Sequence, residues 1–200
     1  RRATSAARSA WASIRAVAAH PGLHLAAVLV HDPAKVGRDA ADIAGLPEPL
    51  GVAATDDIDA VLAAAPGAVA YMASGDLRPD DAAADIDRAL RAGAGVVTPA
   101  LYALYDPASA PAEVRDPLDA AAREGSTALF VSGIDPGWGN DVLPALVAGL
   151  GGTIDQIRCQ EIFDYSTYDQ PDAVRFLVGM GQPMDYEPPL VAAGIPTMVW

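Results

Sequence analysis

The feature that most constrains the fold is a regular alternation between short apolar runs and segments with helical periodicity. Apolar runs occupy residues 24–30, 68–72, 95–98 and 128–132, and the expected helices cover residues 4–20, 58–65, 80–92, 113–124 and 141–150. Short buried strands that alternate with helices are typical of parallel βαβ units. The pattern predicts an α/β fold with a doubly wound parallel sheet and helices on both of its faces.

The character of the chain changes after residue 150. Residues 154–165 alternate polar and apolar side chains, which predicts a longer strand with one face toward solvent. We therefore expect a first domain over residues 1–150 and the start of a second, α+β domain over residues 151–200. Because the sequence begins at Arg1 rather than Met and stops at Trp200 without a polar tail, we expect a fragment truncated at both ends.

Composition and charge argue against several classes of function. The chain has 26 acidic and 13 basic residues, and its net charge of −13 disfavours nucleic acid as a partner. Pro, Gly or Asp interrupts every apolar run before it reaches the roughly 18–20 residues of a membrane span, so no membrane partner is expected. The single cysteine and the lack of a secretory signal indicate a cytoplasmic protein. No spacing of His, Cys or carboxylate residues predicts a metal site.

The first predicted strand of the chain, residues 24–30, is followed by a loop with three candidate ligand-binding residues. Ligands of open α/β sheets bind at the carboxyl ends of the strands. There, Asp32 offers a carboxylate that can hold a ribose diol, whereas Lys35 and Arg38 offer cations that can hold a 2′-phosphate. Residues 1–38 carry a net charge of +5 against −18 for the remainder, which favours an anion site in this part of the chain. A plain surface turn, and arginines on the solvated face of a helix, explain the same residues.

Two further loops follow predicted strands. The loop with Ala73, Ser74 and Gly75 would let a ligand approach the backbone, although any strand needs some turn at its end. The loop after residue 132 is rich in glycine, and its backbone N–H groups are suited to an anionic or carbonyl group of a substrate. A capped turn with Trp138 as a core anchor is the alternative. The candidate substrate-binding residues of this loop are Gly133, Asp135, Pro136, Gly137, Trp138 and Asn140.

Acidic and phenolic side chains cluster where the predicted strand of the second domain ends. Strand alternation places Glu161 and Tyr165 on one face and Asp164 on the other. We expect Tyr168 to be the hydrogen-bond donor to the reacting group and Asp164 to orient it, with Glu161 and Tyr165 lining the substrate. Interface packing would explain the same tyrosines.

Several segments together resemble one family. Residues 30–40, 133–138, 160–169 and 179–183 are similar to the actinobacterial dihydrodipicolinate reductase-like proteins, a group that includes 2,4-diaminopentanoate dehydrogenase and the native amine dehydrogenases. The resemblance extends from about residue 14 to residue 200. It implies a Rossmann domain followed by an α+β substrate and dimerisation domain, and hence a homodimer formed through the C-terminal domain. It also implies NADPH or NADH as cofactor and a small-molecule amine or imine as substrate, with hydride transfer at the domain cleft.

The chain departs from that family at its start. Members open with a strand and a Gly-x-Gly-x-x-Gly turn, whereas the matching positions here are Ser5, Ala7 and Ala10. The sequence therefore predicts a sheet that lacks its first strand. Two hypotheses remain: an NAD(P)-dependent oxidoreductase acting on C–N bonds, and a non-catalytic remnant or ligand-binding domain that has lost cofactor binding. The chain also lacks the adjacent histidines of the lysine-pathway reductases, which argues against that reaction.

Overall fold

The computed structural model describes residues 5–73, 75, 78–134, 136–160, 162, 164, 168, 171 and 173–189. The architecture is mixed α/β with parallel strands, consistent with a Rossmann-like fold. The strands are β1 (Val28–Leu29), β2 (Ala54–Thr55), β3 (Ala68–Ala70), β4 (Gly95–Thr98) and β5 (Leu129–Val131). The α-helices are α1 (Ser5–Ala19), α2 (Ala40–Ala44), α3 (Ile58–Ala63), α4 (Pro79–Arg91), α5 (Ala112–Glu124) and α6 (Leu143–Ala148).

The chain divides into two compact units, one of residues 6–132 and one that includes residues 133–200. This division comes earlier than the boundary expected at residue 150. In the second unit a π-helical segment, Trp138–Val142, leads directly into α6. The thiol of Cys159 lies 3.5 Å from the carbonyl oxygen of Asn140, within hydrogen-bond reach for sulfur, so the glycine-rich loop is tied to the chain that follows α6.

The strands of the first unit form two parallel sheets. In one, β1 pairs with β2, and in the other β4 lies between β3 and β5. The strand predicted at residues 95–98 is confirmed, whereas only Val28–Leu29 of the predicted residues 24–30 is paired. A strand extends only as far as its partner, and β2 offers two residues.

Helices α4 and α5 cover one face of the three-stranded sheet. Ile86 and Leu90 of α4 and Leu118 of α5 pack in one buried cluster with Val96 and Val131. On the opposite face, Val97 and Phe130 are neighbours in register and are 43% and 60% exposed. Both described helices that pack on this sheet, α4 and α5, therefore lie on the same side of it.

A second core lies around β1. Ile14 of α1 packs with Val30, Ala40, Ile43 and Ala54, so the helix expected over residues 4–20 buries an apolar face. Helix α2 was not predicted from the apolar pattern, yet its ends carry clear signals. Asp39 accepts a hydrogen bond from the N–H of Ala41 as N-cap, and Gly45 ends the helix at a φ of 67°.

The strand expected over residues 154–165 is not observed. Described residues 154–160, 162 and 164 belong to no strand or helix. The physical reason is that alternation stabilises a strand only when a second strand supplies backbone hydrogen bonds. In the described part of the chain after residue 132 no such partner strand is present.

Candidate functional site

The loop that follows β1 is folded back against β2. The N–H of Gly37 donates to the carbonyl of Ala54 (2.7 Å), and the N–H of Ala54 donates to the carbonyl of Arg38 (2.8 Å). Gly37 has a φ of 78°, a conformation that glycine adopts without strain. These bonds fix the backbone from which the side chains of Lys35 and Arg38 project.

The carboxylate of Asp32 is engaged within its own loop. It accepts the N–H of Ala34 at 3.0 Å and caps the short turn Pro33–Lys35. The ammonium of Lys35 lies 3.9 Å from the same carboxylate. Asp32 and Lys35, both predicted as cofactor residues, therefore lie side by side.

Asp39 closes the same loop at its far end. Its carboxylate accepts the N–H groups of Ala41 (2.7 Å), Leu50 (3.0 Å) and Gly51 (2.8 Å). These backbone hydrogen bonds, with that from Ala41 first, hold the pKa of Asp39 below its ordinary value. The loop and α2 are thereby fixed to residues 50–51.

An open pocket of about 270 Å³ lies between α1, the loop after β1 and the end of α2. We call it the cationic pocket. Its charged lining residues are three basic side chains and one acid: Arg15, Lys35, Arg38 and Asp42. The uncharged lining residues are Trp11, Ile43, Ala44 and Gly45. Lys35 and Arg38 were predicted as anion-binding residues, whereas Arg15 and Trp11 were not. The helical spacing of Trp11 and Arg15, at i and i+4, is the signal that could have placed them on one face.

A second polar cluster at the carboxyl ends of the strands was not predicted. The hydroxyl of Tyr71, just after β3, donates to the Asp85 carboxylate on α4 at 3.1 Å. Nε2 of His31, just after β1, lies 3.6 Å from the same carboxylate oxygen. Burial, and next the charge of Asp85, raise the pKa of Tyr71. Only tertiary structure brings these three residues together.

The loop after β3 is packed against the protein itself. Gly75 is buried, and a Cβ at this position would overlap the carbonyl group of Ala100. The glycine is thus required by a neighbouring backbone. Ala73 packs at the edge of the core around α4, and Ser74 lies outside the described residues.

In the glycine-rich loop of the second unit, several backbone N–H groups donate to acceptors within the loop itself. The N–H of Gly137 donates to the side-chain oxygen of Asn140 at 2.8 Å, and the N–H of Trp138 donates to the carbonyl of Gly133 at 2.9 Å. The N–H of Gly139 donates to Ile134 at 2.7 Å. These donors, expected to face a ligand, are therefore engaged in the turn. Trp138 is 51% exposed, so it is not a core anchor.

Tyr168 lines an open pocket of about 450 Å³ in the second unit. Pro171, Val174, Arg175, Met180 and Gly181 line the same pocket. The predicted partner Asp164 is exposed and is not among the lining residues, and Glu161, Tyr165 and Asp135 lie outside the described residues. Pro136 is half-buried within the glycine-rich loop.

None of the described helices is both long and apolar enough to cross a membrane. Within the same part of the chain, no group of three or more His, Cys, Asp or Glu side chains is arranged to hold a metal ion.

Comparison with known proteins points to one group. No family model matches the chain. Over 188 residues the chain is 70% identical to a Streptomyces virginiae protein named amine dehydrogenase. The matched region covers 94% of this chain and 52% of that protein. The structure of an amine dehydrogenase from Mycobacterium smegmatis is similar at 29% identity and a TM-score of 0.57, over 74% of this chain and 43% of that one. The chain thus spans about half the length of the relatives it matches, and over that span it is similar to proteins named amine dehydrogenase in both sequence and fold.

Proposed function

We propose that this chain is part of an NAD(P)-dependent oxidoreductase that acts on C–N bonds, oxidising an amine or reducing an imine. The observation that carries the proposal is the 70% identity to a protein named amine dehydrogenase across 94% of the chain. The parallel α/β fold, which commonly binds ligands at the carboxyl ends of its strands, supports the same function.

In this proposal the two parallel sheets are the two halves of one doubly wound sheet. A dinucleotide-binding sheet has the strand order 3-2-1-4-5-6. The observed pair β1–β2 matches positions 2 and 3, and β3–β4–β5 matches positions 4, 5 and 6. The Asp85 carboxylate is close to both His31 and Tyr71, so the carboxyl ends of β1 and β3 lie on either side of one side chain. The position between these strands is the one that the first strand of such a sheet occupies.

The residues present fit one end of a dinucleotide. Three cations in the cationic pocket suit the phosphate of an adenosine 2′-phosphate. Ser5, Ala7 and Ala10, which match the glycines of the pyrophosphate-binding turn, lie within α1. We therefore assign none of these three residues to the pyrophosphate. A bound nicotinamide would supply the hydride acceptor for the amine or the hydride donor for the imine.

In the proposed chemistry, residues of the second unit donate the proton, orient the proton donor and hold the substrate. Tyr168 lines a pocket with Arg175 and Met180, which gives a phenol hydroxyl and a cation beside an apolar surface. Imine reduction needs a proton donor at the nitrogen, and a phenol at such a pocket can serve as that donor. We assign Asp164 the role of orienting Tyr168, and Glu161, Tyr165 and residues of the glycine-rich loop the role of holding the substrate.

The test is an amine-dependent reduction of the nicotinamide. The purified protein is incubated with NAD⁺ or NADP⁺ and a panel of short primary amines, and the reduced cofactor is followed by its absorbance. The reverse reaction uses a ketone, ammonium and NADPH or NADH. Turnover in both directions supports the proposal, whereas cofactor binding without turnover on any amine contradicts it.

A second function is favoured by the helical conformation of residues 5–10. A ligand-binding domain without catalysis would need no glycine turn for the pyrophosphate, and α1 begins at Ser5. This reading predicts binding of an adenosine phosphate without binding of the nicotinamide half. Titration with nicotinamide mononucleotide separates the two functions, because only the oxidoreductase has a site for it.

We further propose a cytoplasmic homodimer, assembled through the second unit, with a small-molecule amine or imine as its substrate. Sedimentation of the purified protein tests the dimer. A monomer at the concentration used for turnover would contradict it.

A further inference from the structure

The pocket of the second unit that Tyr168 lines, which we call the Tyr168 pocket, has a positive charge on its wall. Of its lining residues, Tyr168, Pro171, Val174, Arg175, Met180 and Gly181, only Arg175 bears a formal charge. The chain as a whole has 26 acidic and 13 basic residues, so the sign of the charge on this wall is opposite to that of the protein. The wall therefore favours an anionic group over a cationic one.

The described carboxylates do not neutralise the guanidinium of Arg175. Among the described residues, none has a carboxylate oxygen within 4.0 Å of it. The guanidinium lies over the ring of Phe176, 5.7 Å from the centroid, and a phenyl ring attracts a cation without cancelling its charge. By contrast, the first unit holds arginines that do form ion pairs: Arg78, Arg88, Arg91, Arg115 and Arg123. The charge of Arg175 is thus available to an anion that enters the pocket.

Arg175 lies on a segment whose backbone is held by its neighbours in the second unit. The segment, Ala173–Leu177, is π-helical, a conformation that is frequent at functional sites. The N–H of Met180 donates to the carbonyl of Val174 at 3.0 Å, and the hydroxyl of Tyr186 donates to the carbonyl of Phe176 at 2.6 Å. These hydrogen bonds join parts of the pocket wall without using the guanidinium.

The size and lining of the pocket indicate the class of anion. Its volume of about 450 Å³ lies within the range of small-ligand pockets, roughly 300–1,000 Å³. Pro171, Val174 and Met180 offer apolar surface to a short carbon chain. One guanidinium balances the single charge of a carboxylate and matches its two oxygens, whereas a phosphomonoester carries about −1.5 to −2 charges. The pocket therefore suits a carbon chain that ends in a carboxylate.

The same charge disfavours a second amine on the substrate. A primary alkylamine is protonated at neutral pH, as is a lysine side chain with its ordinary pKa of about 10.4. Arg175 repels such an ammonium group and attracts a carboxylate on the same molecule. An amine that carries a carboxylate is therefore a better ligand for this wall than a diamine of the same length.

We propose that Arg175 is a specificity-determining residue, which selects amines, and the corresponding ketones, that carry a carboxylate at the end remote from the nitrogen. The inference rests on the proposed function. The guanidinium binds the carboxylate, the apolar wall contacts the carbon chain, and the nitrogen lies at the Tyr168 hydroxyl.

The first test is binding of pentanoate, a carboxylate without an amine, to the purified full chain, followed by NMR titration. Arg175→Leu should weaken this binding at least about tenfold, since hydrogen bonds to charged groups exceed neutral ones by this order. Arg175→Lys, which keeps the charge but loses the fork, should lose less. Circular dichroism and melting temperature show that each variant is folded, and Arg175→Lys serves if Arg175→Leu is not.

Arg158→Leu is the matched control within the same unit. Nε of Arg158 donates to the side-chain oxygen of Gln156 at 3.1 Å, and Arg158 does not line the Tyr168 pocket. This variant should bind pentanoate as the wild type does.

The second test is turnover of matched pairs, each an amino acid with its amine three or four carbons from the carboxylate and the primary amide of that acid. The wild type should show kcat/KM values at least about tenfold higher for the acid than for the amide. Arg175→Leu should bring this ratio close to one, and Arg175→Glu should reverse the preference in favour of a diamine. A ratio within one variant cancels any general loss of activity.

Four outcomes overturn the inference. They are equal pentanoate binding by Arg175→Leu and Arg158→Leu, a wild-type acid-to-amide ratio of one, inorganic phosphate that binds as tightly as pentanoate, and pentanoate binding that appears only in Asp172→Asn. In the last case Asp172, which lies outside the described residues, would neutralise Arg175.

The two proposals fail in different ways. If acids and amides are turned over equally, the inference fails while the proposed function stands. If pentanoate binds through Arg175 but no amine is oxidised, the carboxylate site stands while the proposed function fails.

Discussion

The hydroxyl of Tyr71 donates a hydrogen bond to the carboxylate of Asp85 across 3.1 Å, so the end of β3 is tied to the middle of α4. Tyr71 is buried in the core around α4, and its hydroxyl reaches the polar cluster at the carboxyl ends of the strands. A buried phenol held by a carboxylate links the stability of the first unit to both partners.

Tyr71→Phe is expected to lower the free energy of unfolding by about 1–3 kcal/mol, because it removes a buried hydrogen bond to a charged group. Asp85→Asn keeps an acceptor oxygen and should cost less. Denaturant titration of the two variants measures the difference. A Tyr71→Phe variant as stable as the wild type would show that this hydrogen bond contributes nothing net.

Tyr71 also predicts how stability changes in alkaline solution. The pKa of Tyr71 is raised by burial and by Asp85, so the folded state holds the proton more tightly than the unfolded state does. This stabilisation is complete below the ordinary tyrosine pKa of about 10 and is lost as the pH rises through the folded value. Tyr71→Phe should show a shallower loss of stability than the wild type above about pH 10. Parallel curves would contradict the assignment.

Asp39 predicts a sensitivity to acid. Three backbone N–H groups hold the pKa of Asp39 below its ordinary value. The contribution of Asp39 to stability is therefore present above that ordinary value and is lost as the pH falls through the pKa of the folded state. Asp39→Asn should lower the melting temperature at neutral pH and flatten its decline in acid. Asp56→Asn, at an exposed carboxylate near β2, is the control. Identical acid profiles for Asp39→Asn and the wild type would refute the prediction.

Gly137 is expected to be intolerant of any side chain. Its φ is 139°, and a Cβ would overlap the carbonyl and N–H of Gly133. Gly137→Ala should lower the free energy of unfolding by at least about 1–3 kcal/mol, measured by denaturant titration. Gly152→Ala is the matched control, because nothing lies within 4 Å of a Cβ there. Equal effects of the two changes would mean that the turn adapts.

Tyr168→Phe tests the proposed proton donor. Removal of an interaction made in the transition state costs about 10²-fold or more in turnover, so kcat should fall by that order while cofactor affinity is unchanged. Tyr186→Phe is the control, because the Tyr186 hydroxyl donates to the carbonyl of Phe176 at 2.6 Å rather than lining the Tyr168 pocket. Unchanged turnover would indicate that Tyr168 packs rather than reacts.

Local patterns in the sequence were sufficient for the helices with an apolar stripe and for β4. Helices α1, α4 and α5 and strand β4 lie where periodicity predicts them, because each buries a continuous face that the pattern records. Helix α2 and strand β2 were not predicted from the sequence. Both are too short for a period to show, and the cap residues Asp39 and Gly45 were the only local signals.

Tertiary structure alone decided which distant residues meet. Periodicity could not place Arg15 beside Ala44, or Tyr71 and His31 at one carboxylate, because these contacts depend on how α1, α2 and α4 pack against the strands. For the same reason the alternation in residues 154–165 predicted a strand that the described residues do not form. A residue pattern records which face can be buried, whereas the partner that buries it is set by long-range packing.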